Sequence, residues 1–344
     1  MTLMALDLPF IWAGVIATAV LLYVLLDGFD LGVGILFPFA ATPGERDVMM
    51  NTIAPYWDGN ETWLVLGGGG LLAAFPLAYA ILMPALYLPV MLMLLSLILR
   101  GVAFEFRLHG RARGKQLWTV AFAGGSLMAT IAQGFVLGGF IQGVAVKNEA
   151  FAGGPLDWLS PYSLLTAAGL VFGYALLGAG WLMVKTTGDL HERARRWAWI
   201  AAFAVAGLLA AVSLATLLVH PAIGERWGYF GGKLEIQVMA PFLPIPLLGG
   251  IGLGLVFLGL SRQSHVLPFV GALAVFLSGY LGLGVSFFPE IVPYDVTFRE
   301  AANSPGALAL ILGGVAILLP FILGYTAFVY WLFRGKVTAD AGYH

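Results

Sequence analysis

Residues 8–39 read LPFIWAGVIATAVLLYVLLDGFDLGVGILFPF, thirty-two positions whose only charges are Asp27 and Asp30. A hydrocarbon core about 30 Å thick needs roughly 20 residues of helix. Residues 8–26 already suffice, and 31–41 add a further apolar stretch beyond the acids. One long tilted helix, or a helix broken at Asp27-Gly28, accommodates this run. Comparable runs follow at 61–80, 83–106, 117–143, 161–186, 196–219, 240–261, 266–288 and 307–333. None shows the alternation of a barrel strand, and a helix closes its backbone hydrogen bonds internally where lipid offers no partner. The expected fold is all-α, a polytopic membrane bundle of about nine transmembrane helices.

Composition agrees. Only 10% of the 344 residues are charged and 60% are hydrophobic, against about 25% charged in soluble domains. A net charge of −1 without a long basic block argues against nucleic-acid binding. Cysteine is absent, which removes disulfides, thiolate metal sites, iron–sulfur clusters and a cysteine nucleophile. The opening Met1–Asp7 lacks the basic segment and cleavage site of a signal peptide, so the first run is expected to remain as a span. No connection exceeds roughly two dozen residues, too few for a folded extramembrane domain. Residues 1–344 are therefore expected to form one integral-membrane domain.

Lys and Arg set the orientation. Thirteen of the seventeen fall on alternate connections: Arg46; Arg100, Arg107, Arg111, Arg113 and Lys115; Lys185, Arg193, Arg195 and Arg196; Arg262, Arg334 and Lys336. Lys147, Arg226, Lys233 and Arg299 fall on the others. This split places the N-terminus outside and the C-terminus in the cytoplasm.

Charges at the edge of a span are costly and mark candidate functional positions. Asp27 and Asp30 lie three apart, on one face if the helix continues. Asp58 and Glu61 open the second run, and Arg100 and Glu105 close the third. The topology brings all of these to the cytoplasmic side, where a cluster of carboxylates suits the passage of protons or cations. Plainer readings exist for each. Asp58-Gly59-Asn60-Glu61 has the form of a capping box, Asp27-Gly28 that of an interfacial turn, and Arg100 can snorkel or pair with a carboxylate such as Asp30.

Histidine tests whether the chain could hold haem or metal by itself. Of His109, His191, His220, His265 and His344, only His220 falls near a span's outer end, and no two are expected to face each other across the bundle core. No metal site and no catalytic group of its own are expected. Trp57, beside Asp58, stands apart from the other tryptophans, which read as core and interfacial belt.

Three motifs then carry a resemblance. Asp27-Gly28-Phe29-Asp30-Leu31-Gly32-Val33-Gly34, the segment Asn51 to Trp63 (NTIAPYWDGNETW), and Arg100-Gly101-Val102-Ala103-Phe104-Glu105-Phe106-Arg107 resemble the signature of subunit II of the cytochrome bd-type quinol oxidases. The likeness continues through Phe287-Phe288-Pro289 and Tyr325–Trp331. It implies a respiratory terminal oxidase in a bacterial or archaeal plasma membrane. There subunit I, in a heterodimer with this chain, would carry haem b558, haem b595, haem d and the quinol-oxidising site. Subunit II would bind no cofactor alone, apart from a structural quinone in some members. A small accessory membrane subunit, quinol and lipid are further partners implied.

On this resemblance Asp58, with Asp30, Asp27 and Glu61, would relay cytoplasmic protons, while Trp57, Arg100 and Glu105 would border a quinone or the subunit interface. The alternative is a proton- or cation-coupled secondary transporter, whose site would lie near the midplane. A further reading is a purely structural partner that shields haems in another chain.

Overall fold

A computed structural model describes residues 7–109 and 112–337. Arg111 and His344 lie outside the described residues, as do the side chains of His109 and Arg113. The helices are α1 (Leu8–Leu36), α2 (Pro43–Ile53), α3 (Trp57–Ala74), α4 (Pro76–Ala85), α5 (Tyr87–His109), α6 (Ala112–Gln142), α7 (Pro161–Lys185), α8 (Gly188–Val219), α9 (Pro221–Arg226), α10 (Ile236–Met239), α11 (Pro244–Ser261), α12 (Leu267–Phe287) and α13 (Pro305–Leu332).

The first helix does not break at Asp27-Gly28. Asp7 caps it by accepting from the Phe10 amide at 3.3 Å. It then runs unbroken to Leu36 and tightens into a 3-10 turn over Phe37–Phe39, where Pro38 sits. At 1.5 Å per residue, Asp27 lies about 28 Å along it, at one edge of a 30 Å slab. Gly28 serves packing, not turning: a Cβ there would stand 2.7 Å from the Tyr174 ring of α7.

Among the described residues, eight helices are long and apolar enough to cross a membrane. The expected second span, 61–80, is not one helix. α3 stops at Phe75, the residue before Pro76, where the proline ring disfavours helical backbone. α3 still runs antiparallel beside α1 over most of its length. Asn60 reaches the Leu26 carbonyl, and Cβ atoms built at Gly67 and Gly70 would meet Val20 and Ile16. Its polar first turn, with Asp58, Asn60 and Glu61, and its five glycines explain why it falls short on apolarity.

Two cores fill opposite ends of the bundle. One joins Phe29, Tyr174, Trp181 and Leu182 of α1 and α7 to Met49, Met50 and Phe122. The other joins Trp12 and Phe75 to Val292 and Leu308, with the Trp12 indole donating to the Leu308 carbonyl at 3.0 Å. Three short antiparallel hairpins (Val146↔Phe151, Tyr229↔Leu234, Val292↔Val296) all occupy connections at this second end.

The first end is held by α2. Thr42 caps it, accepting from the Glu45 amide at 3.1 Å, and Glu45 then pairs with Arg193 of α8 at 3.3 Å. Asp47 takes Arg107 at 2.7 Å and Lys115 at 3.0 Å, tying α2 to α5 and α6. Partial burial pushes the Asp47 carboxyl up, but hydrogen bonds from Lys115 and Arg107 outweigh it and hold the group below its ordinary value of 3.8. The folded state therefore binds this proton less tightly than the unfolded chain. Its contribution is complete above the unfolded value and lost as pH falls through the lower folded one. With Asp47 42% exposed, screening keeps the effect to about 1 kcal/mol or less. Asp47→Asn is expected to lower the thermal stability of the purified protein near neutral pH, with the gap to wild type closing below about pH 4.

Candidate functional site

The unbroken α1 puts Asp27 and Asp30 on one buried face, both fully shielded from solvent. The two carboxylates find different partners. Arg100, entering from α5, places Nη2 2.7 Å from Asp27 Oδ1 and 2.8 Å from Glu61 Oε2. The snorkelling reading is excluded, because the arginine is 2% exposed. Nor does Arg100 take Asp30. Asp30 Oδ2 accepts from Asn60 Nδ2 at 2.7 Å, and Asn60 Oδ1 accepts from the Tyr330 hydroxyl of α13 at 2.9 Å. Sequence reasoning passed over Asn60 and Tyr330 as site residues, although both lie in quoted motifs. The available signal was an amide between two carboxylates at the start of a span.

Two carboxylates, Asp27 and Glu61, thus share one guanidinium, with a third, Asp30, buried beside them on α1. Asp30 Oδ1 and Arg100 Nε have no hydrogen-bond partner, and neither Asp27 oxygen accepts a well-directed hydrogen bond beyond its ion pair. One turn along α1 from Asp27, the Tyr23 hydroxyl accepts from Gln133 Nε2 at 2.7 Å, while the Tyr174 hydroxyl donates to Gln133 Oε1 at 2.8 Å. On the other side, Tyr56 stacks on Tyr330 with ring centres 4.4 Å apart and hydrogen-bonds the Phe333 carbonyl at 2.8 Å. Lys185 also donates to the Tyr56 hydroxyl, at 3.0 Å. The C-terminal end of α13 is thereby fastened over the acidic cluster.

The remaining candidates sit around this centre. Asp58 is exposed in the first turn of α3. The capping-box reading does not hold: the helix begins at Trp57, Tyr56 occupies the cap position, and no side chain caps it. Glu61, expected as the box's second half, instead binds Arg100. Trp57 lies half-buried against Phe104 of α5, ring centres 5.2 Å apart, beside Gly101. Glu105 is exposed on α5, about 140° round the helix from Arg100 at 100° per residue, so it stays outside the buried cluster.

Two histidines do meet, at the end of the bundle and not across its core. His265 Nδ1 lies 3.2 Å from His191 Nε2. His220 is spent as the cap of α9, its Nδ1 accepting from the Ala222 amide, with its ring stacked on Tyr294 at 3.7 Å. Among the described residues no group of three or more His, Asp or Glu converges as a metal cage.

Residues 8–333 match the family described as cytochrome bd terminal oxidase subunit II. The chain belongs to that family. Cytochrome bd-I ubiquinol oxidase subunit 2 of Escherichia coli (strain K12) is 30% identical over 97% of this chain and 96% of its own length. Cytochrome bd ubiquinol oxidase subunit 2 of Bacillus subtilis (strain 168) is 29% identical over 95% and 96%. The fold is shared with a solved structure, the bd oxidase from Geobacillus thermodenitrificans, at TM-score 0.75 and 17% identity, covering 96% of this chain and 100% of that one. Members of the subunit II family are parts of an oxidoreductase complex, so the chain is a multi-pass membrane subunit of such an enzyme. The transporter reading gives way, and the acids' place at one end of the bundle agrees with its loss.

Proposed function

We propose that this chain is the second subunit of a quinol-oxidising, oxygen-reducing complex and that its acidic cluster feeds protons toward the haem-bearing first subunit. The observation that carries this is a gradient of burial along one line of carboxylates. Asp58 is exposed, Glu61 is 27% exposed, and Asp27 and Asp30 are fully buried. With one guanidinium among three carboxylates, the cluster has spare acceptor capacity for a proton, and Asn60 and Tyr330 steady its inner end.

The end of the bundle holding α2 and the basic connections faces the cytoplasm in this reading, which follows from the positive-inside rule. The N-terminus is then outside and the C-terminus inside, in a bacterial or archaeal plasma membrane, and residues 1–344 act as one membrane unit. α13 presents Leu310, Ile317, Phe321 and Tyr325 outward, an apolar surface for lipid or a partner subunit. Haem is expected in the first subunit: His191 and His265 meet at the end of the bundle and not across its core, and His220 caps α9. For a quinone, the donor set fits in part. Arg100 Nε is a buried donor without a partner, so Arg100 would hold a quinone oxygen, with Trp57 as an apolar wall. A bound quinone would supply a redox-active ring there.

Because Asp58 is exposed, Asp58→Asn should assemble normally. Quinol-dependent oxygen consumption and its proton uptake should then fall by roughly tenfold, about 1.4 kcal/mol of added barrier. Unchanged rates in an assembled Asp58→Asn complex would leave this carboxylate without a relay role.

A further inference from the structure

The turn between α11 and α12 brings His265 against His191 in the first turns of α8, two residues that the proposed relay does not use. His191 is 6% exposed and His265 is exposed. Hydrogen-bond accounting fixes the state of the buried ring. Its Nδ1 lies 3.1 Å from the Met183 carbonyl oxygen, an acceptor only, so Nδ1 carries the proton. Lys336 donates to the same carbonyl at 3.1 Å and to the Thr186 carbonyl at 3.0 Å, closing the C-terminal end of α7 beneath the pair. In the neutral ring Nε2 therefore holds a lone pair, aimed at His265 Nδ1 3.2 Å away.

A histidine whose one nitrogen is held by a backbone carbonyl, with the other lone pair directed outward, is in the state that metal-bound histidines adopt. The spacing fits as well. Two nitrogens on a tetrahedral ion with bonds of about 2.0–2.1 Å stand roughly 3.3–3.4 Å apart, close to the 3.2 Å observed. Borderline divalent cations favour imidazole donors.

We infer that His191 Nε2 and His265 Nδ1 form a two-imidazole site for a borderline divalent transition-metal ion of the Cu²⁺ or Zn²⁺ kind. When the ion binds, the neutral His265 ring changes tautomer: Nδ1 gives up its proton and the exposed Nε2 takes one up, with solvent carrying the transfer. Both facing nitrogens then donate lone pairs, His191 keeps its Nδ1–H on Met183, and water fills the open positions on the exposed side. The ion would join the α7–α8 hairpin to the α11–α12 hairpin. The Lys336 ammonium lies nearby and opposes a dication, so the site is weaker than a closed structural zinc site.

The test uses the full-length chain in its purified complex, without a polyhistidine tag, titrated with Cu²⁺ and read by electron paramagnetic resonance. Wild type is expected to bind one equivalent whose signal is split by imidazole nitrogens. His265→Gln, which keeps a hydrogen-bond donor beside His191 but removes one imidazole, is expected to weaken that equivalent by about tenfold or more. His191→Gln should do the same. If wild type shows no such equivalent, or if His265→Gln retains it with the same splitting and affinity, the pair is a hydrogen bond only and the inference falls. The readout is independent of oxygen consumption, so failure of the relay does not decide it.

Discussion

Replacing Arg100 with methionine is expected to destabilise the subunit by about 3–5 kcal/mol, the cost of stripping a buried charge of its partner. Arg100 is the shared cation of Asp27 and Glu61, at 2.7 and 2.8 Å, and Asp27 has no solvent to turn to. Glu61, at 27% exposed, can rotate toward water and suffers less. The thermal midpoint and the yield of assembled complex in mild detergent measure the loss. A cycle with Asp27→Asn separates charge from packing. If the charge is what matters, Arg100→Met with Asp27→Asn should regain more than half of the lost stability, because an uncharged pair of similar volume removes the uncompensated carboxylate. If the aliphatic stem of Arg100 carried the effect, the two substitutions would add. A loss below about 1 kcal/mol in Arg100→Met would instead match a screened surface pair.

The all-α fold was legible because span-length apolar runs have few alternatives in lipid. The acids were legible for the same reason: charges are scarce in such runs, so Asp27, Asp30, Glu61 and Arg100 announced themselves. Their pairing was not. Positions three apart on one helix face nearly the same way, and the rotation that gives Arg100 to Asp27 and Asn60 to Asp30 is set by how α3 and α5 lean on α1. Tyr330 is 270 residues from Asn60 in the chain, and His265 is 74 from His191. Such contacts leave no local pattern.

Two of the plainer readings fall for reasons that composition and spacing do not carry. Asp27-Gly28 has the composition of a turn, yet Gly28 is glycine because Tyr174 covers it. Asp58 and Glu61 have the spacing of a capping box, yet the helix starts at Trp57, two residues before a box capped by Asp58 would begin it, and Glu61 is drawn to Arg100. Gly134 and Gly138 likewise let α6 meet α7. Added Cβ atoms there would stand 2.2 Å from Ala167 Cα and 2.4 Å from Ser163 Cα.

Gly32→Ala is expected to have the largest effect of any single methyl group. A Cβ at Gly32 would stand 1.8 Å from the Tyr174 carbonyl oxygen, and one at the facing Gly178 would stand 2.3 Å from the Gly32 carbonyl carbon. Both obstacles are backbone, so no rotamer change relieves them, and α1 and α7 must separate by more than 1 Å to restore contact distances. That motion spreads along the helices. Phe29 stacks on Trp181 at 4.2 Å, and Trp181 donates to the Thr52 carbonyl at 3.1 Å, so both contacts loosen beside Asp30. Overpacking usually costs about 1–3 kcal/mol, and a backbone-to-backbone clash in mid-helix belongs at or above the top of that range. Gly14→Ala in the same helix supplies the control. Nothing lies within 4 Å of its added methyl, and the gain in helix propensity, up to about 1 kcal/mol, should leave the thermal midpoint equal or slightly raised. Equal stability of the two variants would mean that the close crossing of α1 and α7 does not hold the acidic cluster in place.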